Sequence, residues 1–137
     1  MSEPQYWLAV GTPENWHTSF SKNYLWGLRT SQRHMWEEIR VGEDVVFFYI
    51  TTPVKGIVGY GLVREKKEDG SFEWVEEHAE KKSIWPLRVS LSPIIVNPAS
   101  HWTSHSVTTP ELSKKVRSGF QKVSSDLAHQ IIRRLSE

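Results

Sequence analysis

Val45-Val46-Phe47-Phe48-Tyr49-Ile50 is an unbroken apolar and aromatic run between the turn Val41-Gly42-Glu43-Asp44 and the breakers Thr51-Thr52-Pro53. Its length and β-branched, aromatic content make it the strongest strand in the chain. A second strand, Gly56–Arg64, follows at once. Its glycines at 56, 59 and 61 predict tight curvature or close backbone approach, which a small barrel needs to turn its corners.

The other segments are arranged around this pair. Tyr6–Val10 is a continuous apolar run ended by Gly11, and reads as a buried strand. Thr12 then caps a helix with Pro13 at its first position, and the helix Pro13–Ser21 buries Trp16 and Phe20, four apart. Asn23–Leu28 is predicted as a strand, and Gln32–Ile39 as a helix capped by Thr30 or Ser31. Glu65–Lys82 is charged and poorly periodic, a long loop with one helical turn around Phe72, Trp74 and Val75. Ile84–Leu91 is a strand that continues or bends through Val96. Asn97–Pro110 is irregular, Glu111–Val116 is a helical turn, and Asp126–Leu135 is a helix capped by Ser124 or Ser125. With no repeat and no linker, residues 1–137 form one predicted domain: α+β, a small mixed barrel of about five strands with helices inserted early and added late.

The 137 residues contain no cysteine, which excludes a disulfide framework and a thiol nucleophile. No apolar run approaches a membrane span, and the first residues lack the pattern of a signal peptide. A soluble, cytoplasmic, monomeric protein without membrane contact is expected. The net charge of +1 conceals an uneven distribution, with acidic residues concentrated over 65–80 and basic ones recurring toward the C-terminus. Seven tryptophans exceed what a core of this size needs, and tryptophan also supplies stacking surfaces and cages for methylated groups.

No catalytic constellation emerges, and no cofactor or metal is expected. His101 and His105 are four apart in a Ser- and Pro-rich stretch, and read as exposed loop histidines. Ser104-His105 are sequence neighbours, which rarely form a triad. Glu76 and Glu77 read as a solvated face rather than an acid/base pair.

Tyr6-Trp7-Leu8-Ala9-Val10, Pro13-Glu14-Asn15-Trp16, Leu25-Trp26-Gly27-Leu28, Val41-Gly42-Glu43-Asp44 with the following strand, Gly56-Ile57-Val58-Gly59 and Trp85-Pro86-Leu87-Arg88-Val89 together resemble the EVE domain family, in order and over nearly the whole chain. EVE domains share the PUA-like fold with the YTH domains that bind N6-methyladenine. The resemblance implies a curved, partly closed β-barrel of five to six strands flanked by helices. It also implies a non-enzymatic reader of modified bases in nucleic acid, often beside a nuclease or motor domain of a restriction system.

Carried onto this sequence, the resemblance makes Trp26 the first wall of an aromatic cage, Trp74 the second and Trp85 the third. Thr12 and Asn15 occupy the place of the polar contacts, with Gly27, Leu28, Ser31 and Tyr49 completing the predicted pocket. Trp85 also reads as a plug for a barrel end, and Trp102 as core or loop packing. Trp26 is expected to offer one open face, with room beside it at Gly27. Arg29, Arg33, Lys114, Lys115 and Arg117 are the candidate phosphate contacts.

The turn Gly11-Thr12-Pro13 has less hydrogen-bonding capacity than a YTH-like turn, so N6-methyladenine, 5-methylcytosine and 5-hydroxymethylcytosine all stay open as the base, in DNA ahead of RNA. Two alternatives stand beside this reading: a PUA-like RNA-binding module without modification readout, and an ASCH-like enzyme acting on a small nucleoside derivative.

Overall fold

The computed structural model describes residues 3–115 and 119–137. Among the described residues, six strands form one sheet: β1 (Tyr6–Gly11), β2 (Leu25–Leu28), β3 (Val45–Ile50), β4 (Gly56–Glu68), β5 (Leu87–Val96) and β6 (Phe120–Val123). Their order across the sheet is β2-β5-β4-β3-β1-β6. β1 and β3 are parallel, joined by a crossover that carries two helices, and every other pairing is antiparallel. The helices are α1 (Pro13–Ser21), α2 (Arg33–Glu38), α3 (Val75–Glu80), α4 (Trp102–His105), α5 (Pro110–Lys115) and α6 (Ser125–Leu135). The sheet curls into a half-barrel with helices packed around it, an α+β, PUA-like fold.

The apolar runs of β1 and β3 are explained by burial on both faces. Tyr6, Leu8, Val45, Phe47 and Tyr49 point to one side, where Leu127, Ala128 and Ile131 of α6 cover them. Trp7, Ala9, Val46, Phe48 and Ile50 point to the other, into a core that also holds Trp16, Trp26, Trp74 and Trp102. Strand alternation thus divides the apolar residues between two cores. The capping predictions at two helices match the structure. Thr12 Oγ1 accepts the Asn15 amide at 3.1 Å, and Ser124 Oγ accepts that of Leu127 at 3.2 Å.

Several local expectations change; β5, for one, begins at Leu87 and not at Ile84. β4 runs on to Glu68, so the charged segment begins as a strand paired with β5. Two register shifts in that pairing accommodate the curl. Asn23 and Tyr24 adopt positive φ (58° and 56°), so β2 starts at Leu25. Neither Thr30 nor Ser31 caps α2; Thr30–Gln32 is instead a single 3₁₀ turn ahead of Arg33. β6, unannounced by its short Phe-Gln-Lys-Val sequence, pairs along β1 at the sheet edge.

A tryptophan-walled cavity as candidate functional site

A cavity of about 290 Å³ opens where the end of β1, the start of α1, β2 and the segment around α3 meet. Trp26, Trp74 and Trp85 line it, together with Gly11, Thr12, Asn15, Gly27, Arg29, Gln32, Thr51 and Glu76. The three rings stand edge to face. Trp74 lies 6.0 Å from Trp26 at 75° and 5.7 Å from Trp85 at 84°. Trp74 is therefore nearly perpendicular to both other walls. Behind Trp26, Trp16 stacks at 3.9 Å and 10°, and covers one of its faces.

Gly27 plays a different part from the one expected. A β-carbon there would come within 2.5 Å of Trp85 Cβ and 2.6 Å of the Trp85 carbonyl. The glycine gives Trp85 its seat against β2 rather than leaving a gap for a ligand. At Gly11 an added β-carbon would collide with the far edge of the Trp26 ring, so that glycine admits the indole.

One buried carboxylate fixes two of the walls. Glu77, the third residue of α3, accepts the amides of Glu73 at 2.8 Å and Trp74 at 3.3 Å on one oxygen. Its other oxygen accepts the amides of Ile84 at 2.9 Å and Trp85 at 3.1 Å. Arg88, also buried, donates to this carboxylate at 3.3 Å and 3.4 Å and to the Trp85 carbonyl at 3.1 Å. Its guanidinium also bonds Ser71 and sits 5.4 Å from the centre of the Trp74 ring. The solvated face expected at Glu76 and Glu77 is thus corrected. A carboxylate at the third position of a helix meets the free amides of the first turn, and here those amides are inside the protein.

Glu76 turns to the cavity instead. The Asn15 side-chain amide donates to Glu76 Oε2 at 3.1 Å. Glu76 Oε1, Asn15 Oδ1 and Trp74 Nε1 are buried atoms without a hydrogen-bond partner in the protein. All three belong to residues that line the cavity. An unsatisfied buried polar atom costs about 1–3 kcal/mol, so these three make the polar part of the lining locally costly.

Six predicted pocket residues therefore converge: Thr12, Asn15, Trp26, Gly27, Trp74 and Trp85. Leu28, Ser31 and Tyr49 are not among the lining residues. Leu28 is fully buried in the core, Ser31 is exposed on the 3₁₀ turn, and Tyr49 points to the opposite face of the sheet. Gln32, Thr51 and Glu76 line the cavity without having been predicted. The i,i+3 spacing of Arg29 and Gln32 around one turn was the signal available for Gln32.

Among the candidate phosphate contacts, Arg29 is exposed at the cavity, its guanidinium 5.8 Å from the centre of the Trp85 ring. Arg33 is already held by Glu68 through two bonds of 3.2 Å and 2.9 Å. Lys114 and Lys115 end α5, and Arg117 lies outside the described residues. The exposed rings of His101 and His105 approach to 4.9 Å, brought together by a short helix where an irregular segment was expected. No group of three or more potential metal ligands occurs among the described residues.

A family model described as the EVE domain matches residues 5–134. Comparison with curated proteins finds no match. Among solved structures, the Pho92 YTH domain in complex with m6A is similar at a TM-score of 0.63 and 12% identity, over 100% of this chain and 86% of that one. The YTH domain of the Zygosaccharomyces rouxii MRB1 protein, solved with N6-methyladenosine RNA, is similar at 0.60 and 10% identity, over 98% and 90%. Rpa0253 from Rhodopseudomonas palustris gives 0.58 and 21% identity, over 96% and 93%. At these identities the likeness is one of fold.

Proposed function

Since the chain belongs to the EVE domain family, we propose that it is a non-enzymatic reader that takes a flipped, modified base of nucleic acid into the tryptophan-walled cavity. DNA is the proposed polymer. The observation that carries this reading is the pairing of three edge-to-face tryptophans with three unsatisfied polar atoms around one cavity.

A base can be inspected from all sides only after it leaves the stack, which costs a few kcal/mol. Aromatic walls return about 1–3 kcal/mol per stacked base. Trp26, backed by Trp16, is a rigid wall, and Trp85, half-buried, is the wall nearer solvent. The cavity volume lies at the lower edge of the roughly 300–1,000 Å³ range of small-molecule pockets, the size for one planar heterocycle rather than a larger ligand. Arg29 beside Trp85 would meet the flanking phosphate.

The test is a fluorescence titration with oligonucleotides carrying N6-methyladenine, 5-methylcytosine or 5-hydroxymethylcytosine and their plain counterparts. Each is presented single- and double-stranded, as DNA and as RNA. One modified form is expected to bind tighter than its plain counterpart by about fourfold or more, the factor that one buried methyl supplies at about 0.8 kcal/mol. Equal affinities throughout would overturn the reading. A preference confined to structured RNA, independent of modification, would replace it with a PUA-like RNA-binding module.

A further inference from the structure

We infer that His101 and His105 form a surface site for a borderline divalent metal ion such as zinc, held by two imidazoles and open on its other side. The site lies outside the tryptophan-walled cavity and does not depend on the reader function.

Spacing alone does not make such a site, because two histidines four apart share a face only on a helix. Here a 3₁₀ turn, Ala99–His101, runs straight into α4, and the two carry both residues. The segment is fixed from behind. Trp102 is buried, and its indole donates to the Asn97 carbonyl at 2.8 Å. The Asn97 side-chain amide donates in turn to the His105 carbonyl at 3.1 Å. Asn97 is itself tied to β4, its main-chain amide donating to the Val58 carbonyl at 2.8 Å. One buried ring and one asparagine thus anchor the helical segment to the sheet, while both imidazoles stay exposed.

The rings stand at the separation one ion requires. A zinc–nitrogen bond is about 2.0–2.1 Å, so a tetrahedral zinc shared by two imidazoles sets their ring centres roughly 5 Å apart. The observed separation is 4.9 Å. Ser104 prepares one of the donors. Its hydroxyl donates to the His101 carbonyl at 3.4 Å, and its Oγ lies 2.7 Å from His105 Nδ1. A hydroxyl has one proton to give. With that proton on the carbonyl, Oγ accepts from Nδ1–H, and the lone pair of the neutral ring is left on Nε2. A hydrogen bond to the nitrogen that does not bind metal is what fixes the tautomer and ring orientation of a ligating histidine. Imidazole suits zinc, nickel and copper, whereas magnesium and calcium take oxygen ligands. Two donors fill half of a tetrahedral shell and leave two positions for water or for a donor from another molecule.

The experiment titrates the full chain with zinc chloride, and separately with magnesium chloride, and follows the histidine ring protons by NMR. The His101 and His105 signals are expected to move or broaden together and to saturate at one zinc per chain, ahead of the other four of the six histidines. Magnesium is expected to move none of them. Ser104→Ala keeps both donors and is expected to weaken zinc binding by about tenfold, the lower end of what losing a partner of a metal ligand costs. His101→Ala and His105→Ala, both at exposed positions, are expected to keep the melting temperature of the parent and to weaken zinc at the remaining ring by more than Ser104→Ala does. Parallel movement of all six histidines, or no movement of His101 and His105 at excess zinc, overturns the site. Unchanged zinc affinity in either folded histidine variant overturns chelation by the pair. Unchanged affinity in Ser104→Ala overturns the role of Ser104.

Discussion

The Glu77 carboxylate receives the main-chain amide of Trp85 at 3.1 Å while its other oxygen receives that of Trp74 at 3.3 Å. Two walls of the cavity, eleven residues apart in sequence, are thus registered against each other by one buried side chain. Arg88 neutralises that charge and holds the Trp85 carbonyl as well. Removing one member of a buried charge pair costs about 3–5 kcal/mol, because the other is left uncompensated. Glu77→Ala is therefore expected to lower the unfolding free energy by that order in a urea titration. The near-ultraviolet circular dichroism of the tryptophans should change with it. A loss below about 1 kcal/mol, the scale of an ordinary surface substitution, would remove Glu77 from this role.

The second buried carboxylate acts on stability through pH. Asp44 accepts the Trp7 indole at 3.0 Å and the amides of Gln5 and Arg40 at 3.0 Å and 2.9 Å. Burial pushes its carboxyl up, but these hydrogen bonds together outweigh burial and hold it below the ordinary carboxylate value. A carboxyl depressed in the folded state contributes stability that is fully present above its unfolded value, about 3.9, and is lost as the pH falls through the folded value. Stability is thus expected to be insensitive to Asp44 between pH 7 and 5 and to fall with acid below about 4. Asp44→Asn should be destabilised by about 2–4 kcal/mol at neutral pH and show a flatter acid limb. Equal acid slopes in the two proteins would exclude Asp44 as a source of acid sensitivity.

Trp26 and Trp85 separate stability from binding. Trp26 is only 8% exposed and stacked on Trp16, so Trp26→Ala is expected to cost about 3–5 kcal/mol of stability, and any loss of binding would carry that cost within it. Trp85 is half-buried and lies at the cavity. Trp85→Ala is expected to leave thermal unfolding much closer to that of the parent while weakening the bound oligonucleotide by about 1–3 kcal/mol, the worth of one stacking partner. Unchanged affinity in a folded Trp85→Ala would take Trp85 out of the cage.

How much of this was legible in the sequence follows from where each instruction lies along the chain. Thr12 and Pro13 act on the next turn of backbone, and α1 begins where they say. The apolar run Val45–Ile50 needs no partner to declare itself a strand. Trp26, Trp74 and Trp85 were reachable through motif order, and the cavity does collect them. Glu77 was not, because the amides of Ile84 and Trp85 and the guanidinium of Arg88 reach it only once the chain has turned back. A Glu-Glu pair in a charged segment carries no local mark of which carboxylate goes inward. Gly27 was read as leaving room beside Trp26, whereas Trp85, 58 residues away in the sequence, packs against that side of it. β6 was illegible for the same reason: two of its four residues are polar, and its stability comes from the edge of β1.

Arg29 and Arg33 give the last prediction, since they differ in what already holds them. Arg33 is clamped by Glu68 in a two-bond pair, and that hydrogen bond with the neighbouring charge raises its affinity for its proton further. To reach a phosphate it would have to leave that carboxylate. Arg29 stands over the Trp85 ring at the cavity, where the backbone flanking an extruded base would pass in the proposed function. Each phosphate neutralised by a cation releases counterions, and contributes about 0.7–0.9 to the slope of log affinity against log salt. Arg29→Gln is therefore expected to lower that slope by nearly one and to weaken modified and plain oligonucleotides about equally. Arg33→Gln is expected to leave the slope unchanged, because the charge it removes was already balanced by Glu68. The measurement is a set of fluorescence titrations between about 50 and 200 mM salt, the range over which phosphate contacts dominate the change. A reduced slope in Arg33→Gln, with none in Arg29→Gln, would place the path of the backbone over the α2 side of the cavity instead of over Trp85.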